Sequence, residues 1–183
     1  MKNSARILLC LLLAIAGTAT AQIKVTISQA LDFWTSNAEK EIVAAAEAMP
    51  AGKYSFVPSG AGFAGVRSFG QQVKHLAANN YRMAAYIVGQ KPAPYEEAET
   101  GPDDVQSKAE IVQYVKGSFA ALHRANAVIN EENMLEPIPS HPNPKQSARV
   151  QFSEDAVAHS YDHYGQMVEY LRMNGIIPPS SRK

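Results

Sequence analysis

Four stretches of this chain carry apolar side chains at intervals of three and four, and glycine or proline cuts off three of them. That period lines up one face of a helix, whereas a half-buried strand requires alternation. The first stretch, Ile27 to Met49, has Leu31, Trp34, Ala38, Ile42, Ala45 and Met49 as its stripe, and Pro50-Ala51-Gly52 stops it. Trp34 is expected in the core on that spacing. The second, about Arg67 to Val88, carries Phe69, Val73, Leu76, Asn80, Met83 and Ile87 and ends at Gly89 and Pro92. The third opens on Ser107-Lys108-Ala109-Glu110, a capping box in which serine and glutamate satisfy each other's free amides. It carries Ile111, Val115, Phe119, Leu122, Ala125 and Ile129. The fourth, Phe152 to Asn174, has Ser153 as its expected N-cap and Val157, Tyr161, Tyr164, Val168 and Leu171 as its seam. Asn174-Gly175 ends it.

The connections contain loop chemistry: Pro58, Gly60, Gly62 and Gly65 in the first, and an acidic, proline-bearing segment over 90–106 read as a solvated loop. The third is the proline-rich run Glu136 to Pro144. No alternating pattern longer than a few residues occurs. The fold class is therefore all-α, an antiparallel four-helix bundle.

The N-terminus follows other rules. Lys2 and Arg6 precede the apolar run Ile7 to Ala16, and Ala19-Thr20-Ala21 follows. This is the pattern of a secretory signal peptide over residues 1–21, cleaved after Ala21. It predicts a mature domain over 22–183, periplasmic or secreted, with no membrane span. The sole cysteine, Cys10, falls within the signal, so the mature chain would have neither disulfide nor thiol nucleophile. Any metal must then be held by nitrogen and oxygen. The 17 basic and 17 acidic residues balance, which argues against nucleic acid as a partner.

His159 and His163 are four residues apart, one above the other on a helix, at a chelating spacing. They flank the apolar seam and lie off the arc of Glu154, Asp155, Asp162, Glu169 and Arg172. Two readings follow. The pair shares a divalent metal that binds both neutral rings, or the two are hydrogen-bonded core histidines with no ion. A metal would want a third ligand, and His75, at the margin of a packed stripe on a separate helix, is the geometric choice. His141, in the proline loop, is expected to be exposed, and His123, beside Arg124, to be a surface residue.

Other chemistry is set aside. His159-Ser160 lacks the glutamate of a gluzincin, and His159-Ser160-Tyr161-Asp162-His163 approaches the inverted motif only with the shorter aspartate. Asp162 reads as a solvated helix carboxylate, with general base as the alternative. Gly60-Ala61-Gly62-Phe63-Ala64-Gly65 matches a dinucleotide fingerprint but follows no strand. Gly165 is expected to permit a close helix approach, and Gln166, Tyr170 and Asn79 to line the site or pack around it.

The string from His159 to Gln166, with Tyr170-Leu171-Arg172-Met173-Asn174-Gly175, resembles the last helix of DinB-like proteins. Ser68 to Leu76, with its single histidine, resembles their second helix, and Ser107 to Ile111 the start of their third. The resemblance implies an up-down-down-up bundle holding one divalent metal, zinc or nickel, on His75, His159 and His163. Many such proteins have arginine where Tyr164 stands here. The resemblance further implies a thiol-dependent transferase class of chemistry on an unknown small molecule, although an oxidising compartment holds little reduced thiol. A hydrolase using metal-activated water is one alternative. A non-catalytic metal- or ligand-binding bundle, with a homodimer as a compatible assembly, is the other.

Overall fold

The structure, a computed structural model, describes residues 24–143 and 147–182. The predicted signal peptide and Cys10 lie outside the described residues. Among these residues the protein is all-helical, with no strand and only one isolated bridge, Pro137 to Ala148. Four long helices, α1 (Ile27–Ala48), α2 (Phe69–Ile87), α4 (Lys108–Asn126) and α5 (Arg149–Met173), enclose the core, and a short α3 (Pro94–Glu97) lies against α2. None of the helices among the described residues is long and apolar enough to cross a membrane.

Local chemistry accounts for the helix starts. The capping box read at Ser107 is present, with Ser107 Oγ accepting from Glu110 N–H and Glu110 accepting from Ser107 N–H. Thr26 with Gln29 and Ser68 with Gln71 form the same reciprocal pair at α1 and α2. Left-handed Gly89 and Gly175 end α2 and α5 by folding their N–H groups back onto Tyr86 and Arg172. The Lys108 ammonium donates to the carbonyls of Glu47 and Met49, satisfying the open end of α1.

The stripes of α2 and α4 are buried as read, that of α1 is buried except at Trp34 and half-buried Leu31, and that of α5 is rotated from the expectation. Trp34 is 56% exposed and stacks edge-on against exposed Phe33. Thr35 takes the inward position because its hydroxyl accepts from the Asn126 amide at 2.9 Å, which a ring could not do. In α5 the buried face runs through Phe152, Ser153, Ala156, Ser160, His163, Met167, Tyr170 and Leu171. Val157, Tyr161, Tyr164 and Val168 are half-buried beside it.

Ser153 is therefore not a cap. The helix begins four residues earlier, where Gln151 accepts from Ala148 N–H and Arg149 reaches the Ile87 carbonyl that ends α2. Ser153 is buried and donates to Asn126 Oδ1 at 2.8 Å.

His123 is half-buried and bridges α4 to α1, with Asp32 on Nδ1 and Glu39 on Nε2 at 3.0 Å. Burial opposes its charge, but the two carboxylates outweigh burial and hold the imidazolium above its ordinary range. His141 packs against the rings of Tyr86 and Phe152 and is half-buried, because buried Ile138 anchors the proline loop to the core. Gly165 faces open space. Close approach is needed instead at Gly117, where an added Cβ would collide with the Tyr81 hydroxyl, and at Gly70, where it would lie 3.2 Å from the Tyr54 carbonyl that accepts from its N–H.

Candidate metal centre

Two helices supply the site. On α2, Gln72, His75, Asn79 and Arg82 recur at three and four and share one face; on α5, Asp155, His159, His163 and Gln166 do the same. The facing stripes bring the three imidazoles together, as the sequence led one to expect. His159 Nε2 lies 3.2 Å from His75 Nε2 and 3.0 Å from His163 Nε2. The three ligand atoms fall within 4.8 Å of one another. His75 and His163 are buried and His159 is half-buried. Neither His123 nor His141 belongs to this group.

Three inward-facing nitrogens cannot all be reconciled by hydrogen bonds. One N–H can bridge one pair, but the remaining lone pairs confront each other with little solvent to screen them. A tetrahedral ion with nitrogen ligands at about 2.0–2.1 Å sets those ligands about 3.3 Å apart. The observed separations lie close to that edge, so the donor set fits a divalent cation.

The outer nitrogens must then carry the protons. His75 Nδ1 is 3.0 Å from the Glu99 carbonyl, an acceptor only, so Nδ1–H donates and the Nε2 lone pair is left free. The Gln72 amide lies 2.5 Å from His163 Nδ1 and also meets Gln166 at 2.7 Å. With its nitrogen toward the ring, Gln72 donates to a bare Nδ1 and leaves the proton on Nε2; with Oε1 there, it accepts from Nδ1–H. Only the second orientation leaves Nε2 able to bind a cation, so metal binding selects one face of this amide. His159 Nδ1 is buried without a partner among the described residues.

Sequence reasoning missed three contributors. Gln72 and Arg82 could have been found, one at i−3 and the other at i+7 from His75. Glu99 could not, because it arrives from the segment read as solvated loop. That segment contains α3, and Glu99 lies just beyond it with φ 54°, a left-handed conformation unusual for a side chain of this kind. The turn aims the Glu99 carbonyl at His75, sets its carboxylate 3.3 Å from the same Nδ1 and pairs that carboxylate with Arg82 at 2.5 Å. Asn79 is fully buried, neither surface nor packing alone, since its Oδ1 accepts from Arg82 at 2.7 Å. Tyr170 acts at one remove, donating to the Arg67 carbonyl at 3.0 Å. Asp162 is exposed and accepts from Gln166, in keeping with a solvated carboxylate.

The sequence model of the DinB superfamily matches residues 35–167, a span that includes all three histidines. The chain belongs to the DinB superfamily. No curated protein matches it. In this DinB-superfamily chain, then, the three histidines expected from the resemblance are brought together and could hold a divalent metal.

Electrostatics prepare the rings for a cation. Burial, the neighbouring His75 and then Arg82 and Arg67 push His159 down to about 4. Burial and then the other two rings do the same to His163, also to about 4. His75 is lowered too, first by burial. A histidine lowered on folding takes up its proton in the unfolded chain first, so stability is complete above the ordinary value near 6.5 and falls as pH drops toward about 4. His123 acts in the opposite sense, contributing in acid and losing its contribution as pH rises through its raised value. With three rings against one, metal-free protein should lose about 5 °C of Tm or more between about pH 7 and pH 5. Differential scanning fluorimetry in chelator checks this, and an acid-independent Tm would contradict neutral, desolvated rings.

Proposed function

We propose that this is an exported metal-binding protein in which His75, His159 and His163 hold one divalent ion, zinc or nickel, and that it is an enzyme of the thiol-dependent transferase class. The observation that carries the reading is the convergence of three Nε2 atoms with spacings close to those of a tetrahedral donor set. The end-to-end contacts support an up-down-down-up bundle around it: Lys108 at the start of α4 meets the end of α1, Asn126 at its end meets Thr35, Ser153 near the start of α5 meets Asn126, and Arg149 at that start meets Ile87 at the end of α2. The run of residues 1–21 supports export.

Three neutral ligands leave the ion its full charge, and a bound divalent ion would supply Lewis acidity and free coordination positions for a small-molecule sulfur or oxygen. The chain's own residues bind and orient. Glu99 holds His75 in the tautomer that presents Nε2, Gln72 would do the same for His163 with its Oε1 turned to the ring, and the helix faces around His75 and His163 keep water from those rings. No described residue is a cysteine, and with Cys10 removed in the signal peptide the sulfur nucleophile would come from solution.

Conjugation of an electrophilic small molecule is accordingly expected only with added low-molecular-weight thiol, and should disappear in His75→Ala while the helical circular-dichroism spectrum persists. Ester turnover in plain buffer would instead place the protein among hydrolases. Retention of thiol-dependent turnover without His75 would remove the metal from the mechanism.

A further inference from the structure

We propose that Arg67 binds a carboxylate on the small molecule taken by the three-histidine centre. The inference rests on the proposed metal site and extends it to the class of ligand. Arg67 immediately precedes the α2 cap Ser68, and Tyr170 pins its backbone through the 3.0 Å hydrogen bond to its carbonyl. Its guanidinium has no acceptor among the described residues, whereas Arg82, the other arginine near the histidines, is engaged by Glu99 and Asn79. Arg67 is also near enough that its charge opposes protonation of all three rings.

Arg67 lines a cleft of about 380 Å³ together with Gln71, Lys74, Glu99 and Asp103. Glu99 forms part of the wall of this cleft and also holds His75 Nδ1, so the cleft borders the outer side of the His75 ring. The volume suits a small organic molecule. A ligand with a metal-binding head could therefore lay its tail along the cleft toward a guanidinium that has no acceptor among the described residues and is matched in shape to a carboxylate. Lys74 is less available, because its ammonium already donates to the Pro102 carbonyl at 2.7 Å. Two carboxylates, Glu99 and Asp103, face the same space and disfavour a dianion, so a singly charged carboxylate is preferred to a phosphate.

The test uses protein loaded with cobalt(II), whose visible absorption reports ligand binding without any assay of turnover. The probes are succinic monohydroxamate and its neutral amide analogue, which share the metal-binding head and differ only in the charge of the tail. The parent should bind the carboxylate probe about ten-fold more tightly, a difference near 1.4 kcal/mol. Arg67→Ala should take up the same cobalt and bind both probes alike; its side chain is exposed, so the fold should persist. Equal affinities in the parent, or a preference that survives in Arg67→Ala, would overturn the assignment. Failure of the parent to take up cobalt would be a different result, removing the metal centre and this inference with it.

Discussion

One equivalent of divalent metal is expected in the parent protein, and none in His159→Ala. His159 is the middle ligand: its Nε2 lies within 3.2 Å of both other Nε2 atoms, so its removal leaves two donors on different helices. Affinity should fall by at least about 100-fold, the scale on which even the outer partners of metal ligands act. The fold should survive, because the half-buried imidazole packs at the edge of the bundle and its Nδ1 has no partner to lose. In chelator the variant should melt at or above the parent, since a desolvated ring is exchanged for a good helix former. With metal at about 100 times its Kd, the parent should gain about 2.7 kcal/mol, or roughly 5–10 °C. The variant should gain nothing. Mass spectrometry for metal content, with melting curves in metal and in chelator, measures both. A parent that stays empty after reconstitution with zinc, nickel or cobalt would leave only a histidine-bearing bundle.

The largest loss of stability from a single polar side chain is expected at Asn126. It is fully buried at the end of α4, donates to Thr35 Oγ1 on α1 and accepts from Ser153 Oγ on α5. One amide thus ties three helices together where no apolar side chain could. Asn126→Ala would remove both bonds, leave a cavity and strand the buried Ser153 hydroxyl. Thr35 would keep its bond to the Leu31 carbonyl. The expected cost is about 3 kcal/mol, a fall in Tm of roughly 6–12 °C. Metal content should be unchanged, which separates this scaffold defect from a site defect. Chemical denaturation of metal-free protein is the direct measurement, and a loss under about 1 kcal/mol would show that the network is not stabilising.

The two variants bear on different levels of information in the chain. His159 and His163 are legible because one helix places both, and helical period is a local property of sequence. The stripes of α2 and α4 are legible for the same reason, as are the Ser107 cap and the stops at Gly89 and Gly175. His75 needs one further step, that two amphipathic helices pack by their apolar margins, and the structure brings it to the pair.

What tertiary structure alone decided concerns side chains whose partners are distant in sequence. Trp34 and Thr35 are adjacent on α1, and hydropathy favours the ring for the core. Asn126, ninety-one positions away, reverses the choice by offering the hydroxyl a bond. Ser153 looks like a cap until the same amide and the Arg149 contact to Ile87 move the helix start upstream. His123 looks like a surface residue until α1 brings two carboxylates to its ring. Glu99 had no signal: one acid among several in a loop becomes part of the centre only because its left-handed turn delivers a carbonyl to His75. Period and capping are written into neighbouring residues, so the sequence by itself determined the helices and the facing histidines. The partners of buried polar atoms depend on which helix ends meet, and that is settled only when the chain has folded.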